Sequence, residues 1–370
     1  MMLKMVSFPV KSLVYLLQIR SLSTNTSKLV VDLTLKPLAT VDALLKSKTQ
    51  KNELLIFTKN EESVIALLKK QQFSDAQIAL LVQRSPTILK CKAESNLEPK
   101  LKFLNEYGFV GNILTEVIVK NPLILRRSLN DHLIPNTEYL KGLMNNDQAA
   151  VLFVVKRATW LMTCDLKKVL QPNIDLLLKE GVGMISVLKL FMSQPRSFIC
   201  PVERMSYGIE TVKKFGTKPT DNMFIHALRV VLSMNESNLK KKLEIFRDLG
   251  WTDEDLAITM ARQPLCFSQS EDKIRSSFEL FVKTMKLRPE DVINHPKLLM
   301  YSLSKRSIPR CKVIMALKEK ELMKDMHIPS LINMPGDDFT RKFILKHPTL
   351  SSSLWSLYLG NQKVDDIAVQ

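Results

Sequence analysis

The chain has 370 residues, with 54 Lys and Arg against 37 Asp and Glu and a formal net charge of +17, a surplus that favours polyanionic partners. A hydrophobic fraction of 45% excludes charge-driven disorder, and 10 glycines are too few for a sheet protein rich in tight turns. The five cysteines, Cys91, Cys164, Cys200, Cys266 and Cys311, form no CxxC pair and have no His at zinc-ligand spacing, which speaks against a disulfide scaffold or a zinc module and for reduced, mostly buried thiols.

From Met1 to Val31 the chain carries Lys4, Lys11, Arg20 and Lys28 and no acid; the first is Asp32. Ser7, Ser12, Ser21, Ser23, Thr24, Thr26 and Ser27 flank the apolar stretch Leu13–Ile19. A basic, hydroxylated, acid-free start is that of an organelle transit peptide, expected over residues 1–30 and directed to the mitochondrion, with the chloroplast as the alternative. Lys11 interrupts what would be a secretory signal's apolar core. Residues 31–60 read as a linker or leading helix. Apolar runs such as Ala149–Val155 fall far short of the roughly 20 residues a membrane span needs, so no membrane insertion is expected.

Beyond that point a period near 36 residues organises the chain. Arg84-Ser85-Pro86-Thr87-Ile88-Leu89 is matched by Lys120-Asn121-Pro122-Leu123-Ile124-Leu125, and the proline recurs at Pro195, Pro264, Pro296 and Pro348. Thr159 and Leu228 stand midway in the two double-length gaps and fill the missing slots. A second landmark follows each slot: Leu97-Glu98-Pro99-Lys100-Leu101, then Leu133-Ile134-Pro135, then Leu170-Gln171-Pro172-Asn173-Ile174. A glycine comes later still, at Gly108, Gly181 and Gly250. Such a register marks an array of small repeats.

Each landmark has a physical reading. The second proline belongs in the first turn of a helix, where its missing N–H costs nothing, and Leu97, Leu101 and Leu104 line one face of that helix. The glycine ends it in a left-handed cap. Ser74-Asp75 or Thr252-Asp253-Glu254-Asp255 then caps a second helix, which carries Ile78, Leu81 and Val82 in one copy and Leu256, Ile258 and Met260 in another. The slot proline forces the residue before it out of helical geometry and breaks the chain. Units of this kind cannot bury their apolar faces alone. The expected fold is therefore all-α, a right-handed α-solenoid of stacked two-helix repeats with a curved basic surface, over residues 61–350. Pro264 and Pro296 are close together, which predicts a trimmed second helix around Pro289–Asn294. The wide gap from Pro296 to Pro348 predicts an atypical capping repeat, and residues 351–370 are left as a C-terminal tail.

A proline-punctuated two-helix repeat of this length resembles the mitochondrial transcription termination factor (mTERF) family. The run from Pro296-Lys297-Leu298-Leu299-Met300-Tyr301 through Ser307-Ile308-Pro309-Arg310, with Leu287-Arg288-Pro289 before it, looks like the signature of the plant-type branch. Membership implies organelle targeting and binding of organellar DNA or RNA in transcription termination or regulation, intron splicing or ribosome assembly, with other gene-expression proteins as further partners. A monomer is expected.

No P-loop, GxGxxG or HExxH motif occurs, and neither an enzyme, a cofactor nor a metal site is expected. Asp253-Glu254-Asp255 suits helix capping better than metal binding. Trp160, Phe198 and Phe267 follow their slots and could stack on bases, although aromatics at that phase more often belong to the core. One basic signal has a phase: Arg84, Lys120, Arg157, Arg262 and Lys346 each stand two residues before a slot. Stacking would turn them into a row of cations suited to a phosphate backbone. The same position is also the last turn of the second helix, where a cation favours the helix dipole. Arg126 and Arg127 add an unrepeated basic pair. The function expected is nucleic-acid binding mainly through the backbone, and the alternative is a protein-interaction scaffold in an organelle ribosome or RNA-processing assembly.

Overall fold

The repeat is carried in space by the turns between paired helices. The computed structural model describes residues 58–323 and 326–360. The expected transit peptide, nearly all of the expected linker and the end of the expected tail lie outside the described residues. Among the described residues there are eighteen α-helices and no strand, and no helix is long and apolar enough to cross a membrane. By its internal contacts the chain divides into two compact units. Among the described residues, one runs from Thr58 to Leu178 and takes in Val187–Ile199; the other comprises Lys179–Ser186 and the described residues from Cys200 onward.

The first unit holds α1 (Lys59–Lys70), α2 (Asp75–Arg84), α3 (Glu98–Glu106), α4 (Asn112–Lys120), α5 (Ile134–Leu143), α6 (Gln148–Arg157), most of α7 (Leu166–Lys179) and the body of α8 (Met184–Ser193). The second helices α2, α4 and α6 pack in sequence against one another. They bury Ile78 and Leu81, Leu114 and Ile118, and Val151 and Val154. The second unit holds α9 (Val202–Lys214), α10 (Phe224–Leu232), α11 (Glu236–Asp248), α12 (Asp253–Arg262), α13 (Glu271–Glu279), α14 (Pro289–Asn294), α15 (Ile308–Glu319), α16 (Ile328–Asn333), α17 (Gly336–Phe343) and α18 (Ser351–Leu359). The trimmed second helix expected there is α14.

Local chemistry sets most of these boundaries. Ser74 Oγ accepts from the Gln77 N–H while Gln77 Oε1 accepts from the Ser74 N–H, and Thr252 and Asp255 repeat that box at the start of α12. The acidic run Asp253-Glu254-Asp255 is thus a helix start. Between paired helices the backbone passes through the left-handed region, at Gly108 (φ +101°), Gly181 and Gly250 as expected, and also at Gln72, Asn145, Asn146, Lys286 and Glu321. Non-glycine residues pay a steric cost there that glycine does not.

After most second helices comes a short 3-10 segment that starts at the slot: Pro86–Lys90, Pro122–Arg126, Thr159–Met162, Pro195–Ile199, Pro264–Ser268 and Pro296–Met300. Ala158, before Thr159, has φ −132° and ψ 66°, almost the geometry of Asn121 before Pro122 (φ −140°, ψ 82°). No proline clash enforces that conformation at Ala158. Burial of Leu161 and Met162 holds the break instead.

Three expectations need correction. Leu228 is not a break: α10 runs through it to Leu232 and no 3-10 segment follows, with Phe224, Leu228 and Val231 all buried along the helix. Pro172 is not in a first turn but inside α7. In the other copies the helical path begins earlier than expected, as one wide π-turn at Ala93–Leu97, Leu129–Leu133 and Leu303–Ser307. The wider turn makes room for a proline ring that would collide with a carbonyl in a regular turn. Finally, the expected tail starts too early: Ser351–Leu359 is α18, with Leu354 and Leu357 buried, packed against α15.

A polar clamp closes most of the repeats. The residue after the motif proline on the first helix reaches the carbonyls that end the same repeat. Lys100 Nζ donates to Leu125 O at 2.7 Å, Asn136 Nδ2 to Cys164 O at 2.7 Å and Asn173 Nδ2 to Phe198 O at 2.9 Å. Arg310, 2% exposed, donates to Leu331 O and Ile332 O, each at 3.0 Å. Lys242 and Lys273, which follow no proline, donate likewise to Gln269 O (2.6 Å) and Met300 O (2.7 Å). In the α9–α10 repeat, which has no 3-10 segment, Arg204 caps α10 itself at Val231 O (2.8 Å) and Met234 O. These carbonyls lack helical partners, so a side-chain donor satisfies groups that would be costly to bury alone. Burial in these clamps lowers the pKa of Lys100, Lys242, Lys273 and Arg310.

Candidate nucleic-acid interface

Because α2, α4 and α6 lie side by side, the cations of their last turns come together on the first unit. Arg84 closes α2, Lys120 closes α4, and Lys156 and Arg157 close α6; all four are exposed. Arg84 Nη1 donates to Val119 O, in the last turn of the next second helix, at 2.6 Å. Arg157 Nη2 does likewise to Ser193 O at the end of α8, at 3.4 Å, with its guanidinium 5.5 Å from the Phe153 ring centre. Between these two arginines, Glu116 Oε2 lies 3.0 Å from Lys156 Nζ and 4.0 Å from Lys120 Nζ.

Sequence reasoning offered these cations two roles, the dipole of their own helix or a phosphate. The geometry adds a third, since each arginine ties one helix end to the neighbouring one. A carbonyl carries only a partial charge, so a guanidinium bound to it keeps its full positive charge and its remaining N–H donors. Lys156 and Glu116 escaped the phase argument. Their signal was local: Lys156 adjoins Arg157, and Glu116 stands one turn before Lys120.

The other candidates fall elsewhere. Arg126 and Arg127 are exposed at the far end of the 3-10 segment, beyond the helix ends. Arg127 faces Cys164, whose thiol is pushed up by burial while the Arg127 charge opposes the shift. In the second unit Arg262 closes α12, exposed and without an ion pair among the described residues. Lys346 does not close a helix: it sits in the turn after α17, because the long final spacing contains both α16 and α17 rather than one second helix. Phe198 and Phe267 are wholly buried and unavailable for stacking, whereas Trp160 is half-buried. Among the described residues no group of three or more His, Cys, Asp or Glu side chains is placed to hold a metal ion.

The mTERF family model matches residues 60–340, which takes in all but the last of these repeats. The chain belongs to the mTERF family. Its relatives include "Transcription termination factor MTERF8, chloroplastic" of Arabidopsis thaliana, 20% identical over 262 residues that make up 70% of this chain and 51% of that protein. Another is "Transcription termination factor 3, mitochondrial" of Drosophila melanogaster, 22% identical over 167 residues, 44% of this chain and 46% of that protein. The chain thus spans about half the length of the curated relatives it matches.

Proposed function

We propose that this mTERF-family chain is a non-catalytic, nucleic-acid-binding regulator of organelle gene expression, acting in transcription termination or RNA processing, and that it grips the phosphate backbone through Arg84, Lys120, Lys156 and Arg157. The observation that carries the reading is the convergence of these four cations on three adjacent helix ends. A row of that kind suits a polyanion whose charges recur at regular intervals and which is bound largely by release of its counterions. The acid-free start of the chain and the names of its chloroplastic and mitochondrial relatives support an organelle, with the mitochondrion favoured. A fluorescent reporter carrying the first fifty or so residues should enter that organelle, and secretion would refute the assignment.

The direct test is binding to bare DNA and RNA across a salt titration. Arg84→Ala, Lys120→Ala and Arg157→Ala should each weaken binding about equally for all sequences and reduce the slope of log affinity against log salt by about one. Arg84→Ala and Arg157→Ala also remove a carbonyl's partner, so a stability loss of about 0.5–1.5 kcal/mol should accompany the change. Three stable variants with unaltered slopes would end the reading. Salt-insensitive or absent binding would leave the protein-scaffold alternative in its place. Crosslinking in isolated organelles, followed by sequencing of the bound nucleic acid, separates DNA from RNA.

A further inference from the structure

The row contains one acid, and its placement has a consequence for selectivity. Glu116 stands on α4 one turn before Lys120 and holds Lys156 of the adjacent helix at 3.0 Å, with Lys120 at 4.0 Å from the same oxygen. The two arginines that flank this trio bind neutral carbonyls and keep their charge. The two lysines instead share a carboxylate, so four cations present a net charge of three. Glu116 is not needed to hold the fold: its side chain is 41% exposed, those of its partners 45% and 53%, and ion pairs this exposed contribute little to stability.

We infer that Glu116 is a specificity-determining residue, an internal competitor for the phosphate backbone that occupies Lys120 and Lys156 until a well-fitted nucleic acid displaces it. The inference rests on the phosphate-binding reading of this row. A phosphate presented to the lysines meets a carboxylate already in place and is repelled by it. A complex that leaves the carboxylate on the lysines bears that penalty in full, whereas a target whose phosphates are held in register with Lys120 and Lys156 displaces it and escapes most of the penalty. The carboxylate therefore acts by raising the threshold for binding, as a repulsive element built into an otherwise attractive surface.

The experiment compares the full chain with its Glu116→Gln and Lys156→Ala variants, using labelled random-sequence duplex DNA and random-sequence single-stranded RNA across a potassium chloride titration. Glu116→Gln is nearly isosteric and should leave the melting temperature unchanged. It should bind the probe about three- to tenfold more tightly at low salt, with a salt slope steeper by about one, because a negative charge leaves the interface and two ammonium groups are released. Lys156→Ala should bind more weakly than the parent, and its loss should be larger when made in the Glu116→Gln background. If Glu116→Gln binds like the parent while Lys156→Ala binds more weakly, the competitor role is overturned and the phosphate-binding row stands. If neither variant changes affinity or slope, the row is not the contact and both readings fall.

Discussion

Asn136 tests how a repeat is held closed. Its amide Nδ2 donates to Leu161 O at 3.3 Å and to Cys164 O at 2.7 Å, and its Oδ1 accepts from the Leu166 N–H at 3.3 Å. One side chain, 5% exposed, thus ties α5 to the end of its own 3-10 segment and to the first turn of α7. Asn136→Leu keeps the branched shape of the side chain and leaves two carbonyls and one N–H without that partner. A buried polar group left unpaired costs about 1–3 kcal/mol, and the Leu161 contact is long while Cys164 is half-buried and reachable by water, so the sum should be about 3 kcal/mol. At about 1.4 kcal/mol per factor of ten, the local opening constant should rise about a hundredfold. Native-state hydrogen exchange reads this directly at the amides of Thr163 and Val169, whose own acceptors, Trp160 O and Asp165 O, are untouched by the change. Exchange at those amides no faster than in an exposed control such as Asn130→Leu would refute the clamp.

Other substitutions probe the turns, the clamps and the core. Lys286, held at φ 55°, should be stabilised by about 0.5–1 kcal/mol as Lys286→Gly, whereas Gly108→Ala should lose at least about 1–2 kcal/mol in thermal melts. At Gly108 the backbone is left-handed and an added Cβ would come within 2.6 Å of Gln148 Nε2. Lys100, Lys242 and Lys273 have pKa values lowered mainly by burial from the ordinary 10.5, so between the folded and unfolded values the unfolded chain binds more protons. Stability should accordingly rise as pH climbs through that window toward 10.5, and a Lys273→Met variant should show a smaller rise in melting temperature. Phe267→Ala, which empties a ring position 4.7 Å from Phe246, should cost about 3–5 kcal/mol and leave the salt slope of binding unchanged where the variant is folded; a changed slope would return Phe267 to the interface.

Whatever depends on near neighbours in the chain was legible in the residues alone. The capping boxes at Ser74 and Thr252, the left-handed turns at Gly108, Gly181 and Gly250 and the breaks at the slot prolines each need only a few adjacent residues, and their common spacing exposed the all-helical repeat. Even Thr159 could be placed, because its flanks kept the pattern. Leu228 could not, since without proline nothing local says where a helix stops. There the end at Leu232 is met by Arg204, 27 residues before Val231. The clamp residues show the same division. Lys100, Asn136, Asn173 and Arg310 all visibly follow a motif proline, yet their acceptors lie some 21 to 28 residues further on and appear only when the repeat closes. The phase of Arg84, Lys120 and Arg157 was likewise plain. What each binds, Val119 O, Glu116 or Ser193 O, was decided by which helix packs alongside. Backbone preference acts over a turn or two and is written in the chain, whereas hydrogen bonds and charges act through space and find their partners only after the helices have stacked.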